Sequence, residues 1–177
     1  AARPRGRRRM NDSPEPLIEY VQGLAERNDR ATLAALRSGL RADRQWDALR
    51  IVMPFVHTGR EADEDLAVLV AALFALHPRS GATPFARMLR VIDAKREGAG
   101  IEDRFMALLA ADRADLPHHL RHLVALLAGE NEPIDWHALY RDLRFWGGGR
   151  TQRRWARQFW GATAPSEADT DPSTPTS

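Results

Sequence analysis

The sequence predicts an all-α fold, a compact bundle of about eight to nine helices in two small lobes, and three observations carry that prediction. Apolar residues recur at three- and four-residue intervals through most of the chain, with no alternating strand pattern and no internal repeat of fixed period. Prolines, glycines and capping acids interrupt that pattern at short intervals, as helix ends do. Hydrophobic residues make up 44% of 177, enough for one compact domain or two helical lobes sharing a core.

The elements follow in order. Pro14 and Pro16 open a first helix with Leu17, Ile18, Val21 and Leu24 on one face. Asp29 is a fitting N-cap for a second, which carries Leu33, Leu36 and Leu40 and ends near Gly39. Trp46, Leu49, Ile51 and Val52 make a third segment, which Pro54 must bend or end. Glu61, Asp63, Glu64 and Asp65 suit the positive end of a helix dipole. The body that follows, Leu66 to Leu76, is apolar nearly all round and should be the most buried helix. His77 to Thr83, with Pro78 and Gly81, is the expected boundary between an N-terminal lobe (16–78) and a C-terminal lobe (83–161).

In the second lobe Thr83 is expected to cap a helix with Pro84 at its first position, and Gly98 and Gly100 end it. Ile101, Phe105, Leu108 and Leu109 belong to the next, and Pro117 opens another along Leu116, Leu120, Leu123, Val124 and Leu127. Asp135 caps the following helix, where Ile134 can staple onto Leu139. Gly147, Gly148 and Gly149 break the chain before a last short helix, Arg150 to Trp160. Residues 1–15, with five arginines and a candidate natural start at Met10, read as a basic tail and are set aside from the fold. Residues 162–177 read as an acidic, Pro/Ser/Thr-rich disordered tail.

Composition excludes several classes of function. With no cysteine there is no disulfide, thiolate metal site or thiol nucleophile, which fits a reducing cytoplasm. No apolar run is long enough to span a membrane. The net charge is only +2, but Lys95 is the sole lysine among 26 basic residues. A GC-rich genome accounts for most of that bias, so position rather than number must carry any functional argument.

Arg150, Arg153, Arg154 and Arg157 fall at i, i+3, i+4 and i+7 and share a face, with Trp155 and Phe159 opposite as anchors and Trp160 near its edge. Arg141 and Arg144 extend the patch, offset by Asp142. Four like charges repel by a few tenths of a kcal/mol per pair, a cost an anionic partner would relieve. A solvated helix face has the same pattern. His118, Arg121 and His122 form a second, conditionally basic face. The two histidines have metal-ligand spacing but no third ligand, so no metal or cofactor is expected. No nucleophile elbow is present, and the triple glycine lacks the lysine and hydroxyl residue of a phosphate loop. Acid pairs such as Glu102–Asp103 suit a helix's first turn, so no catalytic residue and no enzyme is expected.

The run Ala111-Asp112-Arg113-Ala114-Asp115-Leu116 with His119-Leu120-Arg121-His122-Leu123 resembles the CasB family, the small subunit of the type I-E CRISPR Cascade complex. So do Ile134-Asp135-Trp136 with Phe145-Trp146-Gly147, Asp29-Arg30-Ala31 through Leu40, and Met53-Pro54-Phe55, in order and spacing and over about residues 16–161. The resemblance implies a non-catalytic, two-lobed helical subunit serving antiviral defence, present as a head-to-tail pair that bridges the backbone and large subunits. It also implies a basic surface that holds target DNA, chiefly the displaced strand of the R-loop, with guide RNA as a further nucleic-acid partner. By position it places Arg37, Arg60, Arg113, Arg121 and Arg150 toward nucleic acid, with His122 where the family pattern has an arginine; the helical stripe adds Arg153, Arg154 and Arg157 as candidates. The loop before Arg60, the longer glycine run and both tails depart from that pattern. The competing expectation is an architectural adaptor whose arginines pair with acidic faces of neighbouring proteins. A helical regulatory domain of a transcription factor is a third, but no short recognition helix follows a tight turn.

Overall fold

The computed structural model describes residues 15–161. Among them it contains nine α-helices and two short 3₁₀ turns, with a single isolated bridge in place of any strand. The expected tails 1–15 and 162–177 lie outside the described residues, apart from Glu15, which opens the first helix.

The helices are α1 (Glu15–Glu26), α2 (Arg30–Ser38), α3 (Gln45–Val52), α4 (Glu61–Leu76), α5 (Phe85–Lys95), α6 (Ile101–Ala110), α7 (Leu116–Gly129), α8 (Trp136–Arg144) and α9 (Arg150–Trp160). Their ends form where the sequence places caps. Asp29 accepts a hydrogen bond from the Thr32 amide at 3.0 Å, and Asp135 accepts one from the Ala138 amide at 2.9 Å. Pro54 stops α3 and sits in a 3₁₀ turn, Met53–Phe55. One cap differs from expectation: Pro84, not Thr83, takes the N-cap of α5, with ψ 144 leaving it extended just before the helix.

α4 is the hub. Ten of its 16 residues are buried, from Leu66 to Ala75. It packs against α1, α2 and α3 on one side and α7 and α8 on another. A helix with no polar stripe needs such a surround, because every face must leave water. α5 packs on α9 and α6 on α7, and one continuous core runs from Leu17 to Phe159.

The connector 77–83 is clasped from both sides. His77, buried at the end of α4, donates from Nε2 to the Glu132 carbonyl at 2.6 Å. The Trp136 indole N–H donates to the Arg79 carbonyl at 2.9 Å while its ring meets Phe74 edge-on at 5.4 Å. Gly81 donates to the Ile134 carbonyl at 2.9 Å, and Gln22 of α1 reaches the Ser80 hydroxyl at 2.9 Å. A Cβ on Gly81 would stand 2.8 Å from Pro133, so this close approach requires glycine.

Tyr140 of α8 is almost wholly buried. Burial pushes its hydroxyl up from 10.0 to about 12, with Arg144 opposing the rise and Asp63 adding to it. The folded value lies above the unfolded one, so this contribution to stability is complete below pH 10 and is lost as pH rises through 12. A difference of that size corresponds to about 2–3 kcal/mol. In alkaline denaturation, Tyr140→Phe should lose less stability across this window than the parent chain; parallel curves would refute the assignment.

Candidate nucleic-acid interface

α9 presents the most basic face. Thr151, Trp155 and Phe159 are buried at i, i+4 and i+8, and seat the helix against α5. Trp155 lies 5.4 Å from Phe85 and 5.1 Å from Trp146, and its indole N–H donates to Asp142 Oδ2 at 2.6 Å. This seating leaves Arg150, Arg153 and Arg157 exposed, with no ion pair among the described residues. Arg154 differs from its neighbours on the stripe. Its guanidinium is engaged by the other oxygen of Asp142, so one carboxylate both anchors the helix and neutralises one of the four arginines. Trp160 stays 45% exposed but is also held. Its N–H donates to Glu102 at 2.6 Å and its ring packs on Phe105 at 5.3 Å, so it ties α9 to α6.

α7 turns its leucines inward and leaves Arg121 exposed, with no ion pair among the described residues. His122 bonds back through Nδ1 to the His118 carbonyl at 2.8 Å, and the two rings meet edge-on at 4.6 Å. Both imidazoles, with His119, border a shallow depression that Asp103 and Arg104 of α6 also line. His122 therefore sits beside an acid as well as a base. Among the described residues no three His, Asp or Glu side chains form a metal-ligating group.

A groove of about 580 Å³ brings together the end of α2, the start of α4 and the loop before α7. Arg37, Arg60 and Arg113 all lie on these elements, but they differ in what they can offer. Arg37 is exposed and unpaired among the described residues. Arg60 is paired with Asp63 at 2.9 Å. Arg113 donates to the Arg144 carbonyl at 2.7 Å, at the C-terminal end of α8 where a cation is favoured. Of the three, only Arg113 lines the groove itself, facing Glu61, Glu64 and Asp65 over an apolar floor of Leu40, Leu49, Val68 and Leu69. It is not a phosphate channel.

Comparison with known proteins decides the family. The family model described as CRISPR-associated protein Cse2 matches residues 32–160, most of the chain. The chain belongs to the CRISPR-associated Cse2 family. A Cse2 protein of Thermus thermophilus is 40% identical to it over 126 residues, covering 68% of this chain and 72% of the relative. The crystal structure of a Cse2-family protein from the same organism superposes with a TM-score of 0.72 at 32% identity, covering 85% of this chain and 99% of that one. A chain from the structure of a CRISPR RNA-guided surveillance complex does so with 0.71 at 29% identity, covering 82% and 90%.

Two exposed aromatics of this Cse2-family chain were not marked as exposed by its sequence. Trp46, on the outer face of α3 beside the acidic groove, is 69% exposed, and Phe145, just past α8, is 72% exposed. Both sit inside helical apolar patterns, and neither has a register that marks it as outward before the neighbouring helices are placed. Among the described residues no helix is long and apolar enough to cross a membrane.

Proposed function

We propose that this chain is the non-catalytic small subunit of an RNA-guided surveillance complex of the type I-E Cascade kind, and that it holds target DNA through its arginines, chiefly the strand displaced when the guide RNA pairs. The observation that carries this reading is the α9 stripe: Arg150, Arg153 and Arg157 face outward, unpaired among the described residues, on a helix fixed by Trp155 and Phe159. Arg121 adds a second cationic point, and similarity to a surveillance-complex chain supplies the context. Arginine neutralises phosphate and releases counterions, giving affinity that is blind to sequence and sensitive to salt. Guide pairing supplies the sequence information there, and strand exchange is nearly balanced, so a few contacts of this kind tip it. The chain works in the cytoplasm with a second copy of itself, the backbone and large subunits, and the guide RNA as partners.

The acidic-rimmed apolar groove beside Trp46 favours a second role alongside the first, as a docking face for a neighbouring protein subunit. In that role the chain is also an adaptor, though through an acidic-rimmed apolar face and not through the arginines that the alternative expectation invoked.

A salt titration tests the DNA reading. With a single-stranded oligonucleotide, Arg121→Ala and Arg153→Ala should each make the slope of log K against log salt shallower by about 0.7, one phosphate contact apiece. Arg154→Ala should change the slope less, because Asp142 already holds that charge. Slopes unaltered by Arg121→Ala and Arg153→Ala would overturn the assignment.

A further inference from the structure

The turn between α8 and α9 divides two adjacent aromatics. Trp146 points inward: it is 3% exposed, its ring meets Trp155, and its indole N–H donates to the Ala111 carbonyl at 2.9 Å. Phe145 points outward, packs on no other ring among the described residues, and lies outside the core. Trp146 thus fixes the backbone of a residue whose own side chain the fold does not use. Cations border it in sequence and in space. Arg113 is tied to the carbonyl of the residue before Phe145, and Arg150 stands at the far side of the glycine run.

The glycines sharpen the picture. Gly147 and Gly149 have φ of +100° and +74°, which explains glycine there. Gly148 does not have a positive φ, and a Cβ on it would meet nothing within 4 Å. No neighbouring atom demands glycine at 148, and the turn surface there is open.

We infer that Phe145 is a stacking platform for an unpaired nucleobase, with Arg113 and Arg150 beside it for the flanking phosphates. This deepens the DNA-binding reading and rests on it. A lone apolar ring among cations suits a ligand that alternates π-faces with negative charges. A duplex buries its base faces, so the platform selects single strands.

The test compares a dye-labelled oligothymidylate with an abasic strand of equal length and charge, at low salt, using the full chain. Stacking should make the parent prefer the base-bearing strand about five- to tenfold. Phe145→Ala and Phe145→Leu should abolish that preference while abasic binding holds, and Phe145→Trp should keep it. Equal parental affinity for the two strands, or a preference that survives Phe145→Ala, would overturn the platform and leave the arginine reading standing. A change of oligomeric state in Phe145→Ala with the preference intact would assign the ring to a second copy of the chain and overturn the platform too. Failure of the parent to bind either strand would overturn both.

Discussion

Trp155→Ala should destabilise the protein by about 3–5 kcal/mol, the usual cost of truncating a buried tryptophan. The ring is 1% exposed and lies between Phe85 and Trp146, so its loss opens a cavity where α5, the α8–α9 turn and α9 meet. The indole N–H also disappears, leaving a half-buried oxygen of Asp142 without its donor. Against a total stability of about 5–15 kcal/mol this is a large share. Trp155→Phe separates the two losses: most of the packing stays, and a cost of about 1–3 kcal/mol reports the orphaned carboxylate oxygen. Urea denaturation would measure both through the midpoint at constant m. A loss below about 1 kcal/mol in Trp155→Ala would mean that α9 is not part of the cooperative core, a range otherwise seen for surface changes.

The second large effect is on binding. Arg150→Glu, Arg153→Glu and Arg157→Glu combined should lower affinity for single-stranded DNA at least about 100-fold, since charge-assisted contacts contribute about 1.5–3 kcal/mol each. The salt slope should fall by about 2, three phosphates at about 0.7 each. Folding should barely change, because all three side chains are exposed and unpaired among the described residues. In the assembled complex, assembly should survive while target binding fails. Loss of assembly with unchanged DNA binding by whatever complex remains would assign these arginines to a protein neighbour instead. Indifference in both assays would remove the stripe from the interface.

Much of the fold was legible because its signals are local. Asp29 and Asp135 cap helices through bonds spanning three residues, and the apolar run of α4 has no polar face to leave in water. The α9 anchors were legible too, since Trp155 and Phe159 stand one turn apart and opposite the arginines. What resisted reading is non-local. Arg154 is one of four equivalent arginines in the helical period, and only a contact with Asp142, 12 residues away across a glycine turn, distinguishes it. Trp160 pairs with Glu102 at a separation of 58 residues. Arg113 has its partner set by which helix ends converge, whereas Arg60 pairs locally with Asp63, and the acids of α4 come to line a groove only when α2 and the loop before α7 close over them. Family resemblance located these arginines in order along the chain, but spatial packing decides which keep a free charge.

The clasp on the 77–83 connector has a consequence for synthesis on the ribosome. Two of its bonds reach forward along the chain, His77 to Glu132 and Arg79 to Trp136, over 55 and 57 positions. When α4 leaves the exit tunnel, the α7 and α8 residues that pack on it have not yet been translated, and a helix that is apolar all round meets water half-wrapped. At about 5–20 residues per second, closing that gap takes several seconds, long enough for chaperones to bind or for nascent chains to aggregate. Slower translation after residue 76 should therefore reduce the yield of folded protein, while slower translation after residue 136 should not.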